Sequence, residues 1–173
     1  MHSRLKLFAD DAKLYSSVAH STGQDQLQTD LDALCSWTQT WLLPFNVAKC
    51  STIHLGTSNP RYSYRILGTT LSQEETEKDL GVLVDHELKF RKQAAAAASK
   101  ANQVLGLVKH SFAKVDRQTL PLLYKTLVRP HIEYGNAIWG PFFKEDQKLI
   151  ERVQRRATKL VQDICHLPYQ ERL

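Results

Sequence analysis

With 173 residues, of which 42% are hydrophobic, 9% aromatic and 24% charged, the sequence has room for one packed domain, or one domain plus a helical extension, and its composition excludes a disordered chain. No run approaches the ~20 apolar residues of a membrane span and Met1-His2-Ser3-Arg4 opens no signal-peptide core, so the expectation is an intracellular protein, nuclear or cytoplasmic, with no membrane partner. The net charge of +5 hides an asymmetry: residues 1–88 carry 7 Lys+Arg against 11 Asp+Glu (net −4), and residues 89–173 carry 16 against 7 (net +9). A basic rear half suits a protein that holds polyanions there.

Cys35, Cys50 and Cys165 are an odd number with no C-x-x-C pair, which argues against a disulfide framework or a zinc knuckle and leaves Cys165-His166 as packing residues. The seven histidines, His2 and His20 among them, are scattered and read as structural.

In chain order, Leu5 to Tyr15 reads as a β-hairpin. Residues 5, 7 and 9 are apolar while 6 and 10 are charged, the period of a half-buried strand, and Asp10-Asp11 sits at the tip. Two adjacent carboxylates concentrate negative charge, which a divalent cation offsets; a solvated turn is the plainer reading. Next comes a helix to about Leu42, capped by Ser21 or Thr22, with Leu27, Leu31, Leu34, Trp37 or Thr38, and Trp41 as its core stripe and Gln24, Asp25, Gln28, Asp32 and Gln39 opposite. Pro44 ends it, and a strand follows over Ser51–Leu55. A second hairpin spans Tyr62 to Leu71 around Gly68. An acidic loop, Glu74 to Glu77, then leads into a strand over Lys78–Val84 that carries Leu80-Gly81.

Beyond Asp85 the pattern turns helical. One helix keeps its spacing from Phe90 to Phe112 with an Ala94–Ala98 run, and a second runs from Thr119 to Arg129, broken by Pro130. A short piece follows over His131 to Trp139, and a final helix runs from Glu145 to Gln162. On the last, Arg152, Arg155, Arg156 and Lys159 recur at i, i+3, i+4 and i+7, a cationic ridge suited to phosphate contact or simply a solvated face.

Phe8-Ala9-Asp10-Asp11 resembles the aromatic-x-Asp-Asp signature of reverse transcriptases, and the flanking residues resemble those of non-LTR (LINE-class, jockey-like) retrotransposons. Trp41, Phe45, Asn46, Lys49 and Cys50 resemble that family's W…FN-x-x-KC block, although Pro44 stands where relatives often carry a basic or polar residue. Lys78 to Val84, with Leu80-Gly81, resembles its primer-grip strand.

The resemblance implies an α+β fold: a partial polymerase palm over 1–88, β-hairpins with a packed helix, then an all-α thumb-like region over 89–173. It implies an RNA-directed DNA polymerase ancestry, with Asp10 and Asp11 as catalytic metal ligands for Mg²⁺ and Lys49 near the leaving pyrophosphate. Lys78, Leu80, Gly81, Arg152, Arg155, Arg156 and Lys159 become candidate contacts to an RNA template and DNA primer. The family takes its third metal-binding Asp from an earlier palm strand, and only four residues precede Leu5, so the expectation is a fragment inactive by itself, with a strand edge open to self-association. The alternatives are a non-catalytic nucleic-acid-binding module and a protein-interaction relic.

Overall fold

The computed structural model describes residues 3–19, 21–112 and 114–173, so the reading of His2 and His20 as structural, and the side chain of Ser21 as a cap, lie outside the described residues. The chain is α+β, helices with small two-stranded sheets, and it forms two units, Met1–Glu77 and Lys78–Leu173.

In the first unit, β1 (Arg4–Phe8) and β2 (Asp11–Tyr15) pair antiparallel with Arg4 opposite Tyr15 and Phe8 opposite Asp11. The expected half-buried alternation is not realised: Leu5 and Leu14 are half-buried, but Leu7 is 69% exposed and Phe8 61%, because among the described residues no further strand pairs with this two-stranded sheet.

Helix α1 (Ser21–Thr40) begins at Ser21 and stops two residues short of the expected Leu42. Its buried face is Leu31, Cys35 and Thr38 with Leu27 and Leu34 half-buried, so the predicted stripe holds as far as Thr38 and fails at Trp41. Trp37 and Trp41, expected in the core, are 51% and 63% exposed and face each other with ring centroids 6.2 Å apart. The reason is the size of the surface beneath. Tyr64, Ile66 and Leu71, joined by Leu14, Phe45, Val47 and Cys50, already fill the space against Leu31 and Cys35. Gln28, assigned to the polar face, clamps α1 to β4 (Arg65–Ile66): its amide donates to the Arg65 carbonyl (2.9 Å) and accepts from the Arg65 N–H (3.0 Å).

β3 (Ser51–Ile53) ends before Leu55, and β4 makes the second hairpin with β5 (Thr69–Thr70), only two residue pairs long. Its loop, Leu67 (φ 49) and Gly68 (φ 79), has the sign pattern of a type I′ turn. Part of the predicted acidic loop is strand: β6 (Ser72–Glu74) lies parallel to β3, and β7 (Thr76–Asp79) starts two residues later. Strand pairing satisfies backbone groups that a loop would leave to water, and the exposed glutamates tolerate it.

The second unit begins at Lys78, within β7, and continues through β8 (Val82–Asp85), which pairs with β7, into α2 (Arg91–Ser111). The Asp85 carboxylate sets the entry to α2, accepting from the N–H groups of Glu87, Lys89 and Phe90 at 3.0, 3.1 and 2.6 Å. Helix α2 buries Ala94, Ala97, Ala98, Ala101, Leu105 and Val108, the period read from the sequence. Pro130 does not break the next element. Helix α3 (Thr119–Leu123) passes through a π-helical turn (Tyr124–Val128) directly into α4 (Arg129–Glu133). Proline offers no N–H, and the wide turn, in which the Arg129 N–H reaches back five residues to the Tyr124 carbonyl, takes up the register change.

After α5 (Asn136–Trp139), α6 (Lys144–Thr158) ends four residues before the predicted Gln162, because the chain turns there to set Val161 in a parallel bridge with Val115. Val153, Ala157 and Val161 join Ala98, Ala101, Leu105, Leu120 and Val128 in the main core. Cys165 and His166, expected to pack, are exposed.

Two predictions follow from this packing. Leu105→Ala removes a buried side chain from the main core and should cost about 2–5 kcal/mol, read as a lowered denaturant midpoint. His54 is buried, and burial first, then the positive charge of Arg61, lowers its pKa below 6.5 against the opposing effect of a hydrogen bond to the Asn59 side chain. The folded unit therefore prefers the neutral ring. That contribution is complete above the unfolded pKa and is lost as pH falls through the lowered folded value. Stability of the chain should fall below about pH 6.5, and His54→Leu should flatten that part of the profile.

Candidate functional site

Three groups of candidate residues can be built from local structure. The first is the acidic hairpin. A two-residue loop, Ala9-Asp10, joins β1 to β2; Ala9 takes a left-handed φ of 52 while Asp10 does not, the sign pattern of a type II′ turn. Asp10 thus sits in the turn and Asp11 opens β2, both exposed.

Mg²⁺ takes oxygen ligands, commonly one or two carboxylates with water and phosphate oxygens, so the pair fits part of such a site. Among the described residues no group of three or more His, Cys, Asp or Glu side chains is placed to hold a metal ion. The donor set therefore falls short of a two-metal centre, and no catalytic step is derived through it.

The second group is the Lys49 segment. Residues Val47–Lys49 form a 3₁₀ turn closed by the Lys49 N–H on the Asn46 carbonyl (2.9 Å) and the Cys50 N–H on the Val47 carbonyl (3.1 Å), which leaves Lys49 exposed. Val47 and Cys50 pack on the same core as Leu14 of β2, so the loop and the acidic hairpin hang from one apolar cluster. Burial, with the nearby Cys35 adding to it, pushes the Cys50 thiol up.

The third group lies in the second unit. The expected continuous strand over Lys78–Val84 is a hairpin, because Leu80 (φ 45) and Gly81 (φ 87) are both left-handed and form its turn. Lys78 is exposed on β7. The close approach expected at Gly81 exists, but its partner is Tyr134: a Cβ at Gly81 would lie 3.2 Å from the Tyr134 Cε1, and the Tyr134 hydroxyl donates to the Leu80 carbonyl at 2.8 Å. Sequence reading missed Tyr134; the residues between it and the turn hide any such pairing.

On α6, Arg152, Arg155 and Arg156, with Lys159 as the residue that caps its end, fall on one side and are all exposed, yet they do not act alike. Arg155 is engaged by Glu151 (3.2 Å) and lies over the Tyr169 ring, 4.7 Å from its centroid. Arg156 donates to the Asn102 Oδ1 of α2 at 2.9 Å, and with Lys159 it faces a cleft beside α2. The ridge is therefore split: Arg155 is held by its own helix and Tyr169, and Arg156 and Lys159 turn toward α2.

These features define a mixed α+β chain with an acidic-tipped hairpin and a basic helical unit. The relatives it matches are named as RNA-directed DNA polymerases of transposons and mobile elements, or as the Pol polyprotein of a retrotransposable element. The chain is 27% identical over 169 residues to a probable RNA-directed DNA polymerase from transposon X-element of Drosophila melanogaster, covering 92% of this chain. It is 25% identical over 176 residues, 96% of the chain, to the retrovirus-related Pol polyprotein from type-1 retrotransposable element R1 of Bradysia coprophila. To the RNA-directed DNA polymerase from mobile element jockey of Drosophila funebris it is 28% identical over 140 residues, 77% of the chain. The chain spans under a fifth of these relatives, 18%, 17% and 15% of their lengths, so the likeness is to one segment of a reverse-transcriptase-derived protein. No protein-family profile matches the chain, and no solved structure matches it.

The turn at Leu80-Gly81 gives a direct check. Leu80→Asn, a residue that accepts left-handed backbone more readily than Leu, should raise stability by roughly 0.5–1 kcal/mol, and Gly81→Ala should lower it by roughly 1–3 kcal/mol, both read by denaturant titration.

Proposed function

We propose that this chain is a nucleic-acid-holding segment derived from a reverse transcriptase, its first unit palm-like and its second thumb-like. In this reading residues 78–173 grip the sugar-phosphate backbone of a template–primer, and Asp10 and Asp11 contribute carboxylates to a Mg²⁺ site that other groups must complete. The observation that carries it is charge placement. The second unit holds 17 Lys+Arg against 10 Asp+Glu, a net +7, and Arg152, Arg156 and Lys159 are exposed on its last long helix. Such a surface gains affinity for polyanions by releasing condensed counterions. Support for the polymerase ancestry comes from the relatives' names. Lys49, exposed on a loop anchored to the hairpin's core, is the cation proposed near the leaving pyrophosphate. Lys78 and the Leu80-Gly81 turn are proposed to lie along the primer.

The test is fluorescence anisotropy with an RNA–DNA template–primer across a salt series. Replacing Arg152, Arg156 and Lys159 with Gln should weaken binding and reduce the slope of log K against log salt by about 2–3. Asp10→Asn with Asp11→Asn should leave binding without Mg²⁺ unchanged. Primer extension by the chain alone is expected to be absent. Extension that disappears in the Asp double variant would show instead that the two carboxylates are completed within the chain or by a second copy.

A second reading, self-association through the hairpin, draws on the exposure of Leu7 and Phe8 in a two-stranded sheet. Sedimentation decides it: a dimer that Leu7→Lys dissolves supports it, and a monomer at all concentrations removes it.

A further inference from the structure

The cleft beside α2 holds more than the two α6 cations. It is a cavity of about 520 Å³ within the second unit, a size that takes a small ligand. One wall is a single face of α2, Asn102, Leu105, Gly106 and Lys109, at i, i+3, i+4 and i+7. The other is the end of α6, with Arg156 and Lys159, and the segment after α2 closes it with Phe112 and Lys114. Four cations thus surround the opening, and among the described residues no acidic side chain lines it. Both helices end here, and their C-terminal dipoles oppose an anion with about half a negative charge each. Four full positive charges outweigh that.

Between the cations the floor is apolar: Leu105, Val115 and Leu160. Phe112 stands at the edge, 40% exposed. A lining of cations around an apolar floor with one exposed ring suits a ligand that is anionic at one end and flat and apolar at the other. A bare phosphate would leave the floor uncovered, and a duplex would keep its bases stacked away from it.

Gly106 adds an independent observation. It lies inside a long helix, where glycine is the poorest former after proline, and a Cβ there would meet no atom within 4 Å. Packing against neighbouring atoms does not require the glycine. A side chain at 106 would instead project into the cavity.

Resting on the nucleic-acid reading above, we propose that this cleft takes one unpaired nucleotide of a single strand, its phosphates on Lys109, Lys114, Arg156 and Lys159 and its base against Leu105, Leu160 and the ring of Phe112. The site would let the second unit hold a single-stranded end or template overhang, beyond its grip on duplex backbone.

The experiment uses the full chain and labelled oligothymidylate of about eight nucleotides, compared with an abasic strand of the same length, in anisotropy titrations. The wild type should bind the base-bearing strand about tenfold more tightly than the abasic one. Gly106→Leu should bring that ratio to near one by weakening the base-bearing strand, with the variant's melting temperature kept or raised. Lys109→Gln with Lys114→Gln, both exposed and so neutral for folding, should weaken binding of both strands and lower the salt slope by about 2.

A wild-type ratio near one, a ratio that Gly106→Leu does not move, or binding indifferent to the lysine pair overturns the pocket. Equal competition by polyglutamate overturns the nucleotide assignment. Where both strands still bind in a salt-dependent way, the failure belongs to the pocket alone and the backbone-holding reading stands; no binding of either strand overturns the pocket, and the template–primer titration above then decides the backbone-holding reading by itself. Should Gly106→Leu not fold, the lysine pair decides.

Discussion

The second unit depends on how closely α2 and α6 can approach. Helix α2 presents Ala98 and Ala101 where a typical core helix presents Leu or Ile, and Val153 and Ala157 of α6 complete the small-residue contact, while Ala94 and Ala97 one turn earlier make room for Val82 and Trp139. Small side chains let two backbones come near while still excluding water, and alanine adds the strongest helix propensity. Further along, the same face changes to Leu105, Gly106 and Lys109, and it is there that the cleft opens. One helix thus serves as packing surface over its first half and cavity wall over its second. Arg91, paired with Glu145 at 2.9 Å and lying 5.1 Å from the Phe143 ring centroid, ties the opposite ends of these two helices. That exposed pair is worth little energetically beside the core.

The first unit solves a smaller problem with less apolar material. Leu31, Cys35, Tyr64, Ile66 and Leu71 are its buried hydrophobic residues, and Gln28 replaces hydrophobic contact with a two-way hydrogen bond to the backbone of β4. A buried or half-buried backbone group that finds a side-chain amide is spared the cost of going unpaired. The consequence is surface: Trp37, Trp41, Leu7 and Phe8 stay outside, an unusual amount of exposed aromatic and aliphatic area for so few residues.

Turn chemistry positions the candidate residues in both units. Left-handed backbone at Ala9 places Asp10 and Asp11 at the end of one hairpin, and the Leu80-Gly81 pair reverses another. Leu at two left-handed turn positions, 67 and 80, is a departure from the Asn or Asp that such turns prefer, so each hairpin carries local strain that the surrounding contacts hold. At Leu80 that contact is the Tyr134 hydroxyl on its carbonyl.

The sequence by itself determined whatever rests on period and composition: the acidic hairpin from its alternation, the α2 face from its 3.6-residue spacing, the basic rear half from its counts, and the family likeness from short ordered motifs. It could not reach decisions that depend on a partner far along the chain. The exposure of Trp37 and Trp41 on α1 was set by the area that β4 and its neighbours offered. Pro130 stayed within a helix because a π-helical turn absorbed its missing N–H. The ridge on α6 divided because Asn102, 54 residues from Arg156, takes that arginine while Tyr169 takes Arg155. The cleft likewise needed α2 and the end of α6 to bring Lys109 and Lys159 to one cavity. Local pattern fixes which face of an element is apolar; only packing decides how much of that face is covered, and by what.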